Sequence, residues 1–109
     1  MHVIEIKDGE LLAEITEQAA ALGITNAAIV ALIGAADTFT ISTMPVHDAA
    51  EDIVTSYQMP AEMHGTGEIR DGKPHVHATM AVQGDRAIAG HLHQAWIGHW
   101  FARAYVIAE

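Results

Sequence analysis

The sequence predicts one small α+β domain, and three observations carry that reading. A strand-like opening gives way at Glu10 to apolar residues spaced three and four apart, the period of a helix. Two later stretches, residues 75–82 and 87–93, alternate strictly between two faces, the period of a strand. At 109 residues, half of them hydrophobic and 17% charged, the chain has the length and composition of a single core spanning residues 1–109.

Taken in order, residues 2–6 read as a short strand closed by a Lys7-Asp8-Gly9 turn. Leu12, Ile15, Ala19 and Leu22 then form one stripe, with Glu14 and Glu17 outside it, which places a helix over about 10–22. Asp8 or Gly9 would supply its entry, and Gly23 sits where helices commonly end in a left-handed conformation. Residues 27–33 are continuously apolar up to Gly34, the pattern of a strand buried on both faces. Residues 38–42 alternate like a half-exposed strand until Pro45 breaks it, 47–51 read as a loop, and 53–59 as a strand before Pro60.

Residues 62–69 contain Gly65 and Gly67, so a strand there is expected to be bent or bulged. Arg70-Asp71-Gly72-Lys73 is a strong turn signal. After it Val76, Ala78, Met80 and Val82 take one face, and His75, His77, Thr79 and Ala81 the other. Beyond Gly84-Asp85, Ile88, Gly90 and Leu92 oppose Ala87, Ala89, His91 and His93. The aromatic and β-branched content of 96–107 favours strand over helix.

Composition excludes several classes. Fourteen acidic against five basic residues give a formal net charge of −9, and the basic ones are scattered. Nucleic-acid binding rests on cationic side chains displacing counterions from phosphates, so DNA, RNA and anionic membrane surfaces are poor partners. Without cysteine there is no disulfide, thiolate nucleophile or cysteine-held metal. The opening Met1-His2-Val3-Ile4-Glu5 lacks the layout of a signal peptide, and no apolar run reaches the ~18–20 residues of a membrane helix. A cytoplasmic protein is the expectation.

Eight histidines are an excess for this length, and their spacing carries more than their number. His75-Val76-His77 puts two imidazoles on one face of a strand, about 6.6 Å apart at the backbone. His91-Leu92-His93 repeats the device on the next strand. A two-residue turn at Gly84-Asp85 would send the two pairs to opposite faces. A three-residue loop, Gln83 to Asp85 or Gly84 to Arg86, puts all four on one face and gathers Val76, Ala78, Met80, Ile88 and Leu92 on the other. Burial of the aliphatic residues selects the three-residue loop. With Gln83 to Asp85 as that loop, His77 faces His91 and His75 faces His93.

A lone histidine is most often a solvated surface residue. Four on one face, beside the small Ala81, Ala87 and Ala89, instead point to a divalent metal held by His75, His77, His91 and His93. Zinc takes imidazole nitrogens at about 2.0–2.1 Å in a tetrahedron and is the default ion, although copper, iron and nickel accept the same ligands. His2, His47, His64 and His99 have no comparable partners in the sequence.

The run Asp71-Gly72-Lys73-Pro74-His75-Val76-His77-Ala78-Thr79-Met80, followed by Ala89-Gly90-His91-Leu92, resembles the plants-and-prokaryotes conserved (PPC) domain. The front of the chain follows the family's order too: a first strand, a helix ending near Leu22-Gly23-Ile24, then the 27–34 strand. The resemblance implies a compact, mainly antiparallel sheet flanked by one N-terminal helix, assembled as a homotrimer. It also implies a histidine triad at His75, His77 and His91. Stand-alone members are described as metal-binding or as candidate DNA-binding proteins, and acetolactate decarboxylase is similar in fold. The chain departs from the pattern in having no AT-hook, Ala89 for a glycine, and His93-Gln94 where the family has an apolar residue and a glutamate. No acid–base role carries over to that last position, and His93 becomes a fourth ligand or a group above the ion.

Three functions compete at this point. One is a metal-binding homo-oligomeric assembly protein. Another is a metal-dependent enzyme of lyase or hydrolase type, taking a small oxygen-bearing ligand at the ion, with Glu62, Glu68 and Asp71 as candidate acids or bases. The third, a DNA-associated regulator, is opposed by the charge. Four histidine ligands would favour a closed structural site; three beside a cavity would favour an open one.

Overall fold

The structure is a computed structural model that describes residues 1–109 throughout. Its elements are strand β1 (His2–Ile6), the two-residue β2 (Gly9–Glu10), helix α1 (Leu11–Ala21), and strands β3 (Ala27–Ala36), β4 (Thr38–Thr43), β5 (Ile53–Tyr57), β6 (Ala61–Arg70), β7 (Lys73–Val82), β8 (Arg86–Ile97) and β9 (Ala102–Ala108). One sheet runs β1-β9-β3-β6-β7-β8-β4-β5, with β2 added beside β8. Every pairing in it is antiparallel. The α+β expectation holds, and the 96–107 stretch is strand, split between β8 and β9 by the 98–100 turn.

Helix α1 lays Leu11, Ile15 and Ala19, all fully buried, on one face of the sheet. That face carries Ile4, Ile29, Leu32, Ile69, Val76, Met80, Leu92 and Val106, and together they belong to a single buried cluster of 25 residues. The expected stripe is therefore rotated by one residue at its start, since Leu12 is only partly buried and Leu22 is 49% exposed. Neither Asp8 nor Gly9 caps the helix. Glu10 does, accepting hydrogen bonds from the Leu12 and Ala13 amides at 3.0 Å each. Its Oε2 also accepts from the Ala95 amide of β8 at 3.0 Å, so one carboxylate ties the helix entry to the sheet. The exit is the expected one. The Gly23 amide bonds the Ala20 carbonyl and the Ile24 amide the Ala19 carbonyl, satisfying carbonyls the helix leaves open.

Three strands differ from expectation. β3 is not buried on both faces: its register shifts around Val30, and Val30 and Ile33 stay about half exposed. β4 is the reverse, with Phe39, Thr40, Ile41 and Ser42 all buried, because β5 and β8 flank it and its hydroxyls find partners. Thr40 Oγ1 lies 2.8 Å from Ser56 Oγ, and Ser42 Oγ lies 2.8 Å from His93 Nε2. β6 runs unbroken against β7 from Glu62↔Ala81 to Arg70↔Lys73, with no bulge there. Its glycines serve close approach instead. A Cβ on Gly65 would strike the His77 carbonyl oxygen, and one on Gly67 the His75 carbonyl oxygen.

Candidate metal centre

Two hairpins place the histidines. Asp71 and Gly72 both have positive φ, 52° and 79°, and close the β6–β7 hairpin as a two-residue turn of the type matched to strand twist. The next hairpin uses the three-residue Gln83 to Asp85 loop, since Val82 pairs with Arg86. That register sets His77 directly opposite His91 and sends Val76, Ala78, Met80 and Val82 into the core. His75, His77, His91 and His93 thus emerge on the face away from α1.

Three of the four converge. Ring nitrogens of His75, His77 and His91 all lie within 4.8 Å of one another. Their ring centroids are 5.0 Å apart for His75–His77, 4.9 Å for His75–His91 and 5.8 Å for His77–His91. A tetrahedral ion with bonds of about 2.0–2.1 Å holds its donors roughly 3.3–3.4 Å apart, a spacing that modest side-chain rotation reaches. Three neutral imidazoles are a donor set that suits zinc and its first-row neighbours, so the residues fit the ion.

His93 stands differently from the expected pairing with His75. The β7–β8 ladder ends at His77↔His91, and β8 bulges just beyond it: Leu92 pairs with Ile41 and Gln94 with Thr40, leaving His93 extra. The bulge has a packing cause, because it turns both Leu92 and Ala95 into the core. The His93 ring lies 4.7 Å from that of His91, and its Nε2 is engaged with Ser42 Oγ.

A cavity of about 800 Å³ opens over the triad, lined also by Ser42, Thr66, Thr79, His64 and Asp52. No lysine or arginine lines it. His64 and Asp52 are additions to the sequence reading. His64 was legible in principle, since the Arg70↔Lys73 turn fixes Glu68↔His75, Thr66↔His77 and His64↔Thr79 on one face. Asp52 comes from the irregular segment before β5, and no spacing announces it. Burial lowers the pKa of His91, and His93, His75 and His77 lower it further, while Asp52 opposes them. Neutral His91 is the form that can ligate. Among the candidate acids and bases, Glu68 lies beside His75, with Oε2 4.0 Å from Nδ1. Glu62 pairs across from Ala81 and Asp71 sits in the turn, and neither lines the cavity. His99 lies 3.0 Å from Asp37, away from the cavity.

No curated protein sequence matches the chain. Among solved structures it is similar to a metal-containing protein of Archaeoglobus fulgidus, at 23% identity and TM-score 0.78 over 99% of this chain and 80% of that one. It is also similar to a plant- and prokaryote-conserved (PPC) protein of Pyrococcus horikoshii, at 20% identity and TM-score 0.70 over 99% and 79%. A Staphylococcus aureus protein of unknown function, described as similar to α-acetolactate decarboxylase, shares the fold at 12% identity and TM-score 0.66, over 97% of this chain and 52% of that one. Structures from Ralstonia eutropha and Bacteroides thetaiotaomicron with the same fold are named as candidate DNA-binding proteins. The family model of the Plants and Prokaryotes Conserved (PCC) domain, the domain abbreviated PPC above, matches residues 1–109. The chain belongs to the Plants and Prokaryotes Conserved domain family.

Proposed function

We propose that this protein binds one divalent metal ion, zinc by default, through His75, His77 and His91, and that the ion keeps a position open to the cavity for a small oxygen-bearing ligand. The observation that carries this is the convergence of exactly these three ring nitrogens within 4.8 Å beneath an open cavity, with His93 held aside by Ser42. Such an ion supplies Lewis acidity toward the ligand. This chain's own residues do the rest: the triad fixes the ion, and the Ser42, Thr66 and Thr79 hydroxyls, with His64 and Asp52, offer hydrogen bonds around the opening. The metal-containing relative from Archaeoglobus supports the same reading. The open position also favours a second reading, a metal-dependent enzyme of lyase or hydrolase type.

A DNA-associated role finds no support in the charge distribution. Of the five cations, Arg70 and Arg103 are held by Glu109 and Glu5, and Lys7 lies 3.6 Å from Glu5. Only Lys73 and Arg86 remain to set against a net charge of −9. We further propose that the chain assembles as a homotrimer, supported by the half-exposed Val30, Ile33, Ile53 and Val54.

Metal analysis tests the site. The purified protein is expected to carry about one divalent ion per chain. His77→Ala or His91→Ala should remove most of it, and His47→Ala should not. Equal retention in all three variants would sink the assignment.

A further inference from the structure

The half-exposed edge of the triad shows a relay of side chains that none of the preceding roles uses. Arg70 spends both terminal nitrogens on one carboxylate, Nη1 on Glu109 Oε2 and Nη2 on Glu109 Oε1, each at 2.8 Å. That bidentate grip leaves Nε, which donates to Glu68 Oε1 at 3.3 Å. With Oε1 so engaged, the other carboxylate oxygen of Glu68, Oε2, faces His75 Nδ1 at 4.0 Å. The register brings the two together, because Glu68 and His75 are direct cross-strand partners on the outer face. Direct cross-strand neighbours stand about 4.5–5.5 Å apart at Cβ, close enough for a small rotation to complete the contact. A second, smaller cavity lined by Thr66, Gly67, Glu68, His75 and His77 opens at the same spot and leaves space beside the two side chains.

We propose that Glu68 is a positioning residue for His75: its Oε2 accepts the Nδ1–H, which fixes the tautomer that presents Nε2 to the ion, and the Arg70–Glu109 pair holds Glu68 in place. Imidazole has one donor and one acceptor nitrogen when neutral, and whatever the first nitrogen donates to decides that the second is free to ligate. A carboxylate behind a ligating histidine also makes the ring a stronger donor, and loss of such partners costs about 10–100-fold in metal affinity. His77 and His91 have no acid as a direct cross-strand partner, since they face each other and are flanked by Thr66 and Ser42, and the acid that acts on His91, Asp52, comes from the segment before β5. Glu68 therefore distinguishes one of three otherwise similar ligands. It is not the acid or base that its sequence position suggested, since it lies behind the ring and does not line the main cavity.

This inference rests on the proposed metal site, and the test separates the two. Nitrogen-15 NMR of the metal-free protein at pH 8, with histidines labelled, reads the tautomer of His75 before any ion is added. The wild type is expected to show the Nδ1–H form at His75. Glu68→Ala should move it toward the Nε2–H form that an unconstrained histidine side chain favours, and Glu68→Gln, whose amide oxygen still accepts, should largely keep it. Zinc affinity measured by chelator competition should fall about 10–100-fold in Glu68→Ala and less in Glu68→Gln, with the melting temperature of the metal-free variants unchanged. An unchanged His75 tautomer and unchanged zinc affinity in Glu68→Ala would overturn the positioning role while leaving the site intact. Failure of the wild type to bind zinc at all would instead overturn the metal reading, and the NMR result would still judge the Glu68–His75 contact.

Discussion

His75, His77 and His91, the three proposed ligands, differ in surroundings, and His91 is the one the fold has partly desolvated. Its pKa is lowered, first by burial and then by the neighbouring rings, against the opposing charge of Asp52. Between that lowered value and the unfolded one near 6.5, the native state binds fewer protons than the unfolded chain. Stability therefore rises with pH in that window and is lost as pH falls below about 6.5. Above it His91 is neutral in both states and adds no further dependence on pH. Urea unfolding of metal-free protein at pH 7.5 and 5.5 should show the acid loss, and His91→Gln should shrink it. An equal loss in the variant would mean that other groups titrate. Adding metal extends the same logic, because proton and ion compete for all three rings and the dependence on pH steepens.

Between side chains and strands, the informative device is the junction where α1 meets β8. Glu10 supplies three of its hydrogen bonds: two amides of the helix start and the Ala95 amide just past the His93 bulge. Glu10→Ala leaves all three amides without that partner and should cost roughly 1–2 kcal/mol, the range of a lost helix cap. For a domain of this size that lowers the melting temperature by roughly 5–10 °C. Glu17→Ala, on the solvent side of the same helix, is the control and should leave it within error. This junction was illegible in the sequence, because glutamate is not a usual cap and its partner lies 85 residues away. By contrast, the shared face of the four histidines was legible: a strict period of two, aliphatic residues that must share a side, and one loop length compatible with both, whereas the choice of His75, His77 and His91 among the four came only with the family resemblance. The His93 bulge escaped that argument because it obeys a later demand, the burial of Ala95 and Ile97. Gly65 and Gly67 were legible as exceptions but for the wrong reason. Their neighbour across the ladder, β7, comes too close for a side chain, and that is a property of two strands together.

Helix α1 covers one face of the sheet, and the other face carries the histidines together with the exposed Ile33. The molecule measures 37 × 34 × 18 Å, the thickness of one sheet and one helix layer. On its open face Ile33 is 53% exposed in the interior of the sheet rather than at an edge. At one edge, β5 exposes Ile53 and Val54 beside an unpaired strand border, and Met44 and Val46 are exposed in the segment leading to it. Exposed apolar side chains and an open strand border both invite association. The proposed trimer would cover them, and light scattering should then give three times the 11.7 kDa chain mass. Ile33→Glu tests which surface is used, since a charge buried between subunits without a partner is expensive. Ile33 also lies directly across from His64, so a subunit seated there would border the cavity. All three proposed ligands nevertheless come from β7 and β8 of a single chain. Ile33→Glu should therefore yield monomers that still hold about one ion per chain. A monomer mass for the wild type across a wide concentration range would refute the assembly. Metal lost in step with assembly would show that a neighbouring subunit contributes to the ion, contrary to a triad complete within one chain.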